Sequence, residues 1–215
     1  MKSENRVTLE DIENIFEKRP AGAEKDFKYF SVLVPLVEKD GKLYLLYEVR
    51  AGHMETQPGD ICFPGGKLEA GEEPCDCAVR ETWEEIGISR ENIRIISQLD
   101  TIYTHSNFLM YCYLGIIDNG TVDNLRLNSD EVEETFLISV DEIRKQRPEI
   151  YINEILPKID ENFPYDKITG GKNYPWRRGS EQVPLYDIDG RIIWGLTGRI
   201  TKAFIDTINH YVDVC

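Results

Sequence analysis

Apolar residues recur along the chain with two different periods, and each period predicts its own kind of element. Phe30 to Val37 and Leu43 to Val49 are β-branched and aromatic runs joined through Lys39-Asp40-Gly41-Lys42. Asp-Gly between two such runs predicts an antiparallel hairpin. Gly59 to Phe63 predicts a short strand leading into Pro64-Gly65-Gly66, and Ile93 to Leu99, Phe108 to Ile117 and Val132 to Val140 predict three more, the last followed by a helical turn over Asp141 to Gln146. Val183 to Ile188 and Arg191 to Trp194 flank Asp189-Gly190, a second hairpin. Helical spacing marks three segments. Leu9, Ile12 and Phe16, between Thr8 and Arg19-Pro20, predict a short helix that covers the core. Pro74 to Gly87 predicts a second, and Ile200, Ala203, Phe204, Thr207, Ile208 and Tyr211 behind an N-cap at Thr197 predict a core-facing terminal helix. Pro157 to Gln182, broken by Pro164, Gly170-Gly171, Pro175 and Gly179, reads as a long loop or insertion. No repeat or linker divides the chain, so the pattern predicts a single domain over 1–215.

The Pro74 to Gly87 segment carries the chemistry. Proline suits a first helical position and glycine the left-handed position that ends a helix. At a hundred degrees per residue, Glu81, Glu84 and Glu85 gather on one face, while Cys75, Val79, Thr82, Trp83 and Ile86 form the other, which packs. Like charges at this spacing repel, and only Arg80, four residues before Glu84, offers local relief. A bare Arg-Glu-x-x-Glu-Glu reads first as a solvated acidic face. Hard oxygen ligands at this density also suit Mg²⁺ or Mn²⁺, which bind carboxylates together with substrate phosphates. Further along, Glu131, Glu133 and Glu134 sit where a loop meets a strand, either as solvated rim charges or as the source of another ligand or base. Lys172, Tyr174, Trp176, Arg177 and Arg178 form a basic and aromatic cluster within the insertion, a candidate lid for an anionic, base-bearing substrate. His105, in the polar connection between two strands, is more ordinarily a surface residue than a catalytic one.

Charge narrows the partners. With a formal net charge of −14 the chain lacks the basic footprint that nucleic acid requires. An anionic substrate must then be held by local metal and local Arg or Lys against the field of the whole protein. No apolar run is long enough to span a bilayer, and the Met-Lys-Ser-Glu-Asn start has no apolar signal core, so a cytoplasmic protein is expected. Cys62, Cys75, Cys77, Cys112 and Cys215 are odd in number and lack Cys-x-x-Cys spacing, which predicts reduced thiols.

The flanks of the acidic helix complete a longer pattern. Gly66, Glu72, Arg80-Glu81, Glu84-Glu85 and Gly87-Ile88 fall at the spacing of the Nudix box of diphosphate hydrolases, with Thr82 where that box has an aliphatic residue. Upstream, Arg50-Ala51, Glu55, Gly59 and Phe63-Pro64-Gly65-Gly66 resemble the signature of the coenzyme A pyrophosphatase branch. Glu55 stands there in place of Arg, and Leu46-Tyr47-Glu48 in place of Leu-Leu-Thr. Ile193-Trp194-Gly195-Leu196-Thr197 is similar to the same branch. The resemblance implies an α/β fold, a Nudix-type α/β/α sandwich around a mixed sheet. It implies metal-dependent cleavage of a diphosphate in a small nucleotide-derived substrate, coenzyme A or acyl-coenzyme A, to 4′-phosphopantetheine and adenosine 3′,5′-bisphosphate. By the same resemblance Glu84 and Glu85 are metal ligands, and Glu81 is a ligand or orients water. The Gly65 carbonyl completes the shell, Glu72 acts through water, Arg80 orients the carboxylates, and Glu131 is a further ligand or the base. Substrate contacts are expected from Arg50, Lys172, Arg177 and Arg178, and a homodimer is compatible with the pattern. An ADP-ribose or related nucleoside diphosphate-sugar pyrophosphatase is the competing enzyme, favoured by Glu55. A ligand-binding regulator on the same fold is the non-enzymatic alternative, but it would be expected to lack one or more of the box carboxylates.

Overall fold

A computed structural model describes residues 6–20 and 27–212. The start at 1–5 and Cys215, both used above, lie outside the described residues. Helix α1 (Leu9–Lys18) is capped by Thr8, whose side chain accepts from the Asp11 backbone while Asp11 reaches back to the Thr8 N–H. It does not cover the core as expected: none of its residues is buried, and Leu9, Ile12, Ile15 and Phe16 stay exposed. Its apolar spacing is real, but spacing does not say whether a partner surface is present.

Strands β1 (Lys28–Lys39) and β2 (Lys42–Arg50) form the predicted hairpin, with Asp40 and Gly41 both at positive φ as a tight turn between right-twisted strands requires. Short strands β3 (Ile61–Cys62) and β4 (Gly65–Lys67) pair with β2 and β1. Helix α2 (Pro74–Ile86) follows, then β5 (Ile93–Gln98), β6 (Ile102–Tyr103), β7 (Phe108–Ile117), the single turn α3 (Asn119–Val122), β8 (Val132–Ser139) and α4 (Val140–Lys145). The eight-stranded sheet runs β3-β2-β1-β7-β5, with β4 on β1, β6 on β7 and β8 on β2. It is mixed, because β1 and β7 are parallel while the other pairs are antiparallel.

The rest of the chain corrects the sequence reading in two places. Glu149–Ile155 forms a strand, β9, that the hydropathy pattern did not predict, because it is exposed on both faces and shows no alternation. Strand β10 (Gly179–Ile188) starts inside the expected insertion, so the irregular stretch is confined to the residues between them and contains two short 3₁₀ turns. With β11 (Arg191–Ile193) these strands make a second sheet, ordered β11-β10-β9. Helix α5 (Gly195–Val212) begins two residues before Thr197, which is buried in its first turn rather than capping it.

Alternation along β1 and β2 sends side chains to two cores. Leu33, Val37 and Leu46 pack with Ala78, Val79 and Ile86 of α2 on one face. Val32, Val34, Leu45 and Tyr47 pack with Ile200, Phe204 and Ile205 of α5 on the other, which also takes in Val140 and Ile143 of α4. Helices therefore cover both faces of the sheet, the α/β/α sandwich expected. The Tyr47 hydroxyl and Thr201 Oγ1, 3.0 Å apart in the buried layer, tie β2 to α5. No helix among the described residues is long and apolar enough to cross a membrane.

Candidate active site

Helix α2 sits where two local signals place it. Pro74 opens it, and Gly87 closes it in the left-handed conformation, its N–H donating to the Trp83 carbonyl. Its packed face differs from the expected one. Trp83 is 53% exposed, and Cys77, Ala78, Val79, Thr82, Glu85 and Ile86 are buried instead. Thr82 fits its apolar surroundings because its hydroxyl donates to the Ala78 carbonyl at 2.7 Å.

The three helix carboxylates part company. Glu84 points outward, Glu81 is half-buried, and Glu85 is only 4% exposed. Arg80 gathers the outer ones. It holds Glu72 in a two-pronged fork, Nε to Oε1 at 2.8 Å and Nη2 to Oε2 at 3.0 Å, and its Nη1 donates to Glu81 at 2.8 Å and to Glu84 at 3.0 Å. Among the described residues no cation pairs with Glu85. Its Oε2 accepts from the Gly65 N–H at 2.8 Å, at the turn that leads from β3 into β4.

A cleft of about 650 Å³ opens over this turn. Glu81, Glu85 and Glu131 form its acidic end with Gly65 and Gly66, Phe30, Phe108, Met110 and Trp194 give it an apolar wall, and Arg50 and Lys67 supply positive charge. Of the downstream acids, Glu131 alone lines the cleft. Glu133 is exposed, and Glu134 pairs with Arg191.

Glu48 is the residue that sequence reasoning missed. It is 2% exposed in β2, its Oε1 accepts from the Cys62 thiol at 3.2 Å, and its Oε2 has no hydrogen-bond partner among the described residues. It shares a strand face with Leu46, which packs under α2. A carboxylate on an otherwise apolar face was the available signal.

Burial pushes Glu48 and Glu85 above the ordinary carboxylate range; the charges of Glu131 and Glu81 raise Glu48 further, and that of Glu48 raises Glu85. A carboxyl whose folded pKa exceeds its unfolded value of about 4.3 binds its proton more tightly in the fold, so its contribution to stability grows as the pH falls from above the folded value toward the unfolded one. In chelator, the melting temperature is expected to rise as the pH drops from about 8 toward about 5.5, and to rise less in Glu85→Gln. Equal rises in thermal melts of both proteins would contradict this. Glu72 behaves oppositely: its hydrogen bonds from Arg80 hold it at about 2, so its stabilisation is complete above the ordinary carboxylate range and is lost progressively as the pH falls from about 4.3 through about 2.

The donor set suits a hard divalent cation. Its groups are carboxylate oxygens, and one of them, Glu48 Oε2, is buried and unpartnered. Gly66 lets the Glu81 carboxylate lie against the backbone, because a Cβ there would come well inside 3.0 Å of it. Among the described residues no group of three or more His, Cys, Asp or Glu side chains is arranged to hold a metal ion as the side chains stand. Arg80 draws Glu72, Glu81 and Glu84 toward itself.

Several expected contacts are not made. Lys172, Arg177 and Arg178 do not line the cleft, and Trp176 packs instead with Phe163 and Tyr174 in a local aromatic cluster. Glu55 is exposed outside it, although its neighbours Met54 and Thr56 line it. His105 lies elsewhere, with Nδ1 3.1 Å from Glu181. Cys62, Cys75, Cys77 and Cys112 are free thiols.

Comparison with known proteins places this geometry. The model of a family described as NUDIX domain matches residues 28–159. The chain is 39% identical over 118 residues to Nudix hydrolase 3 of Caenorhabditis elegans, a match covering 54% of this chain and 49% of that protein. It is 32% identical over 135 residues to the peroxisomal coenzyme A diphosphatase NUDT7 of Mus musculus, covering 62% and 56%. The matched region thus spans about half the length of these relatives. A solved MutT/nudix family protein from Enterococcus faecalis superposes with a TM-score of 0.50 over 97% of this chain and 71% of that one, at 18% identity, a likeness of fold alone.

Proposed function

The chain belongs to the NUDIX domain family, and from that premise we propose that it hydrolyses the diphosphate linkage of a nucleotide derivative with Mg²⁺ or Mn²⁺, its substrate being coenzyme A or an acyl-coenzyme A. The observation that carries the proposal is the cleft itself, acidic at the Gly65-Gly66 turn and apolar toward Phe30, Phe108, Met110 and Trp194. One end suits metal and phosphates, the other a base or an acyl-pantetheine arm. The choice of coenzyme A rests on the Arg50 to Gly66 pattern and on the relative named as a coenzyme A diphosphatase.

In the reaction, water adds to one phosphorus, and the bridging P–O bond breaks with its electron pair going to the departing phosphate. The attacking water gives up its proton, so two monophosphates result. A divalent cation, when bound, neutralises phosphate charge and makes the water a better nucleophile. Glu84 and Glu85 are the first-choice ligands, with Glu81, the Gly65 carbonyl and Glu72 through water around them. Glu84 must turn inward from its present contact with Arg80 to serve. Arg80 fixes the carboxylates in place, and Arg50 and Lys67 face the phosphates. Glu131, facing the cleft, serves as a further ligand or as the base that takes the water's proton.

Glu131→Gln is expected to lower kcat at least about tenfold and to change its pH profile, while Glu133→Gln and Glu134→Gln stay near wild type. Equal small effects from all three would return Glu131 to the rim. The substrate is tested by comparing kcat/KM for coenzyme A and ADP-ribose, with products identified. Coenzyme A should be preferred; turnover of ADP-ribose alone would give the site to nucleoside diphosphate sugars.

A further inference from the structure

Glu48 lies outside the acidic helix and outside every role assigned above. It enters from the sheet: its Cα pairs with Cys62 of β3 on one side and Thr135 of β8 on the other, and its side chain points into the layer beneath α2. Glu85 enters the same layer from the helix. Both side chains are more than nine-tenths buried. Between them they receive one thiol donor, Cys62, and one backbone donor, the Gly65 N–H. The thiol is a weak donor, and Glu48 Oε2 has none. Glu81 and Glu131 add like charge from the cleft side. Arg50, whose charge acts on Glu48, gives its Nε to the Thr56 carbonyl.

For stability alone the arrangement is a poor one. An apolar residue of similar volume at position 48 would remove an unpartnered buried oxygen and a like-charge neighbour at once. Two buried carboxylates in one layer, with no ion pair to either among the described residues, call for a compact positive charge that prefers hard oxygens. A divalent cation meets that need.

We propose that Glu48 is a further carboxylate ligand of the divalent-cation site, reaching it from β2 and forming with Glu85 its buried half. The proposal rests on the metal-dependent reading above and adds a ligand from the sheet to those of the helix. Its direct readout is metal binding without turnover. The full chain is stripped with chelator, and Mn²⁺ binding is followed by electron paramagnetic resonance and calorimetry in wild type, Glu48→Gln, Glu48→Asp, Glu85→Gln and Glu133→Gln. Glu48→Gln is expected to weaken Mn²⁺ binding at least about tenfold or to lose one ion, with the metal-free protein as stable as wild type or more so. Glu48→Asp, which keeps the charge with a shorter reach, should fall between, and Glu133→Gln should match wild type. Unchanged binding in whichever Glu48 variant folds, alongside weakened binding in Glu85→Gln, overturns the proposal and leaves the metal-dependent reading standing. Unchanged binding in the Glu48 and Glu85 variants alike overturns both.

Discussion

Glu85→Gln is expected to lower turnover by a factor of at least about a hundred while the metal-free protein melts at the same temperature or higher. The two halves of this prediction share one cause. Glu85 is buried, feels the charge of Glu48, and among the described residues has the Gly65 N–H as its one hydrogen-bond partner. The neutral amide keeps the shape, and its oxygen can still accept from Gly65, so the fold loses a repulsion and no packing. What it loses is the negative charge that would bind a cation against substrate phosphates. Opposite movement of kcat and melting temperature marks a group kept for function rather than for stability. Near wild-type turnover at saturating Mg²⁺ would remove Glu85 from the reaction.

The second large effect separates two adjacent glycines. A Cβ on Gly65 would meet the Ser31 carbonyl and the Val32 Cα of β1, backbone atoms that cannot step aside. Gly65→Ala should therefore destabilise the fold by about 1–3 kcal/mol, as overpacking does. The three atoms nearest a Cβ on Gly66 all belong to the Glu81 carboxylate, the movable end of a flexible side chain. Gly66→Ala should leave stability within about 0.5 kcal/mol and lower kcat at least about tenfold by displacing that carboxylate. Thermal melts and kcat on both variants decide it. If Gly66→Ala keeps wild-type kcat, the position of Glu81 does not matter to the reaction.

What the sequence made legible was local. Pro74 and Gly87 mark the ends of α2 because their backbone preferences act without help from the rest of the chain. Asp40-Gly41 and Asp189-Gly190 mark hairpins for the same reason. What depended on distant surfaces was not legible. Helical periodicity gave α2 and α1 an apolar side, but it could not say that Trp83 would remain exposed or that α1 would bury nothing. Strand β9 pairs on one side with β10 and is open on both faces, so it left no alternation to read. The insertion's cations looked suited to an anionic substrate by composition, yet the chain carries them away from the cleft, where Arg50 and Lys67 stand instead. Glu48 was hidden because its burial depends on which helix covers β2.

The central claim is that this cleft cleaves a diphosphate with a divalent cation, and one measurement meets it directly. Coenzyme A is incubated with the full chain and Mg²⁺ in ¹⁸O-labelled water, and the products are identified by mass spectrometry, with chelator and Glu85→Gln as controls. The account predicts 4′-phosphopantetheine and adenosine 3′,5′-bisphosphate, one of them carrying a single ¹⁸O, with no products in chelator and at least about a hundredfold less in Glu85→Gln. Equal product formation in chelator would contradict it, as would intact coenzyme A together with intact ADP-ribose under Mg²⁺ and Mn²⁺ alike.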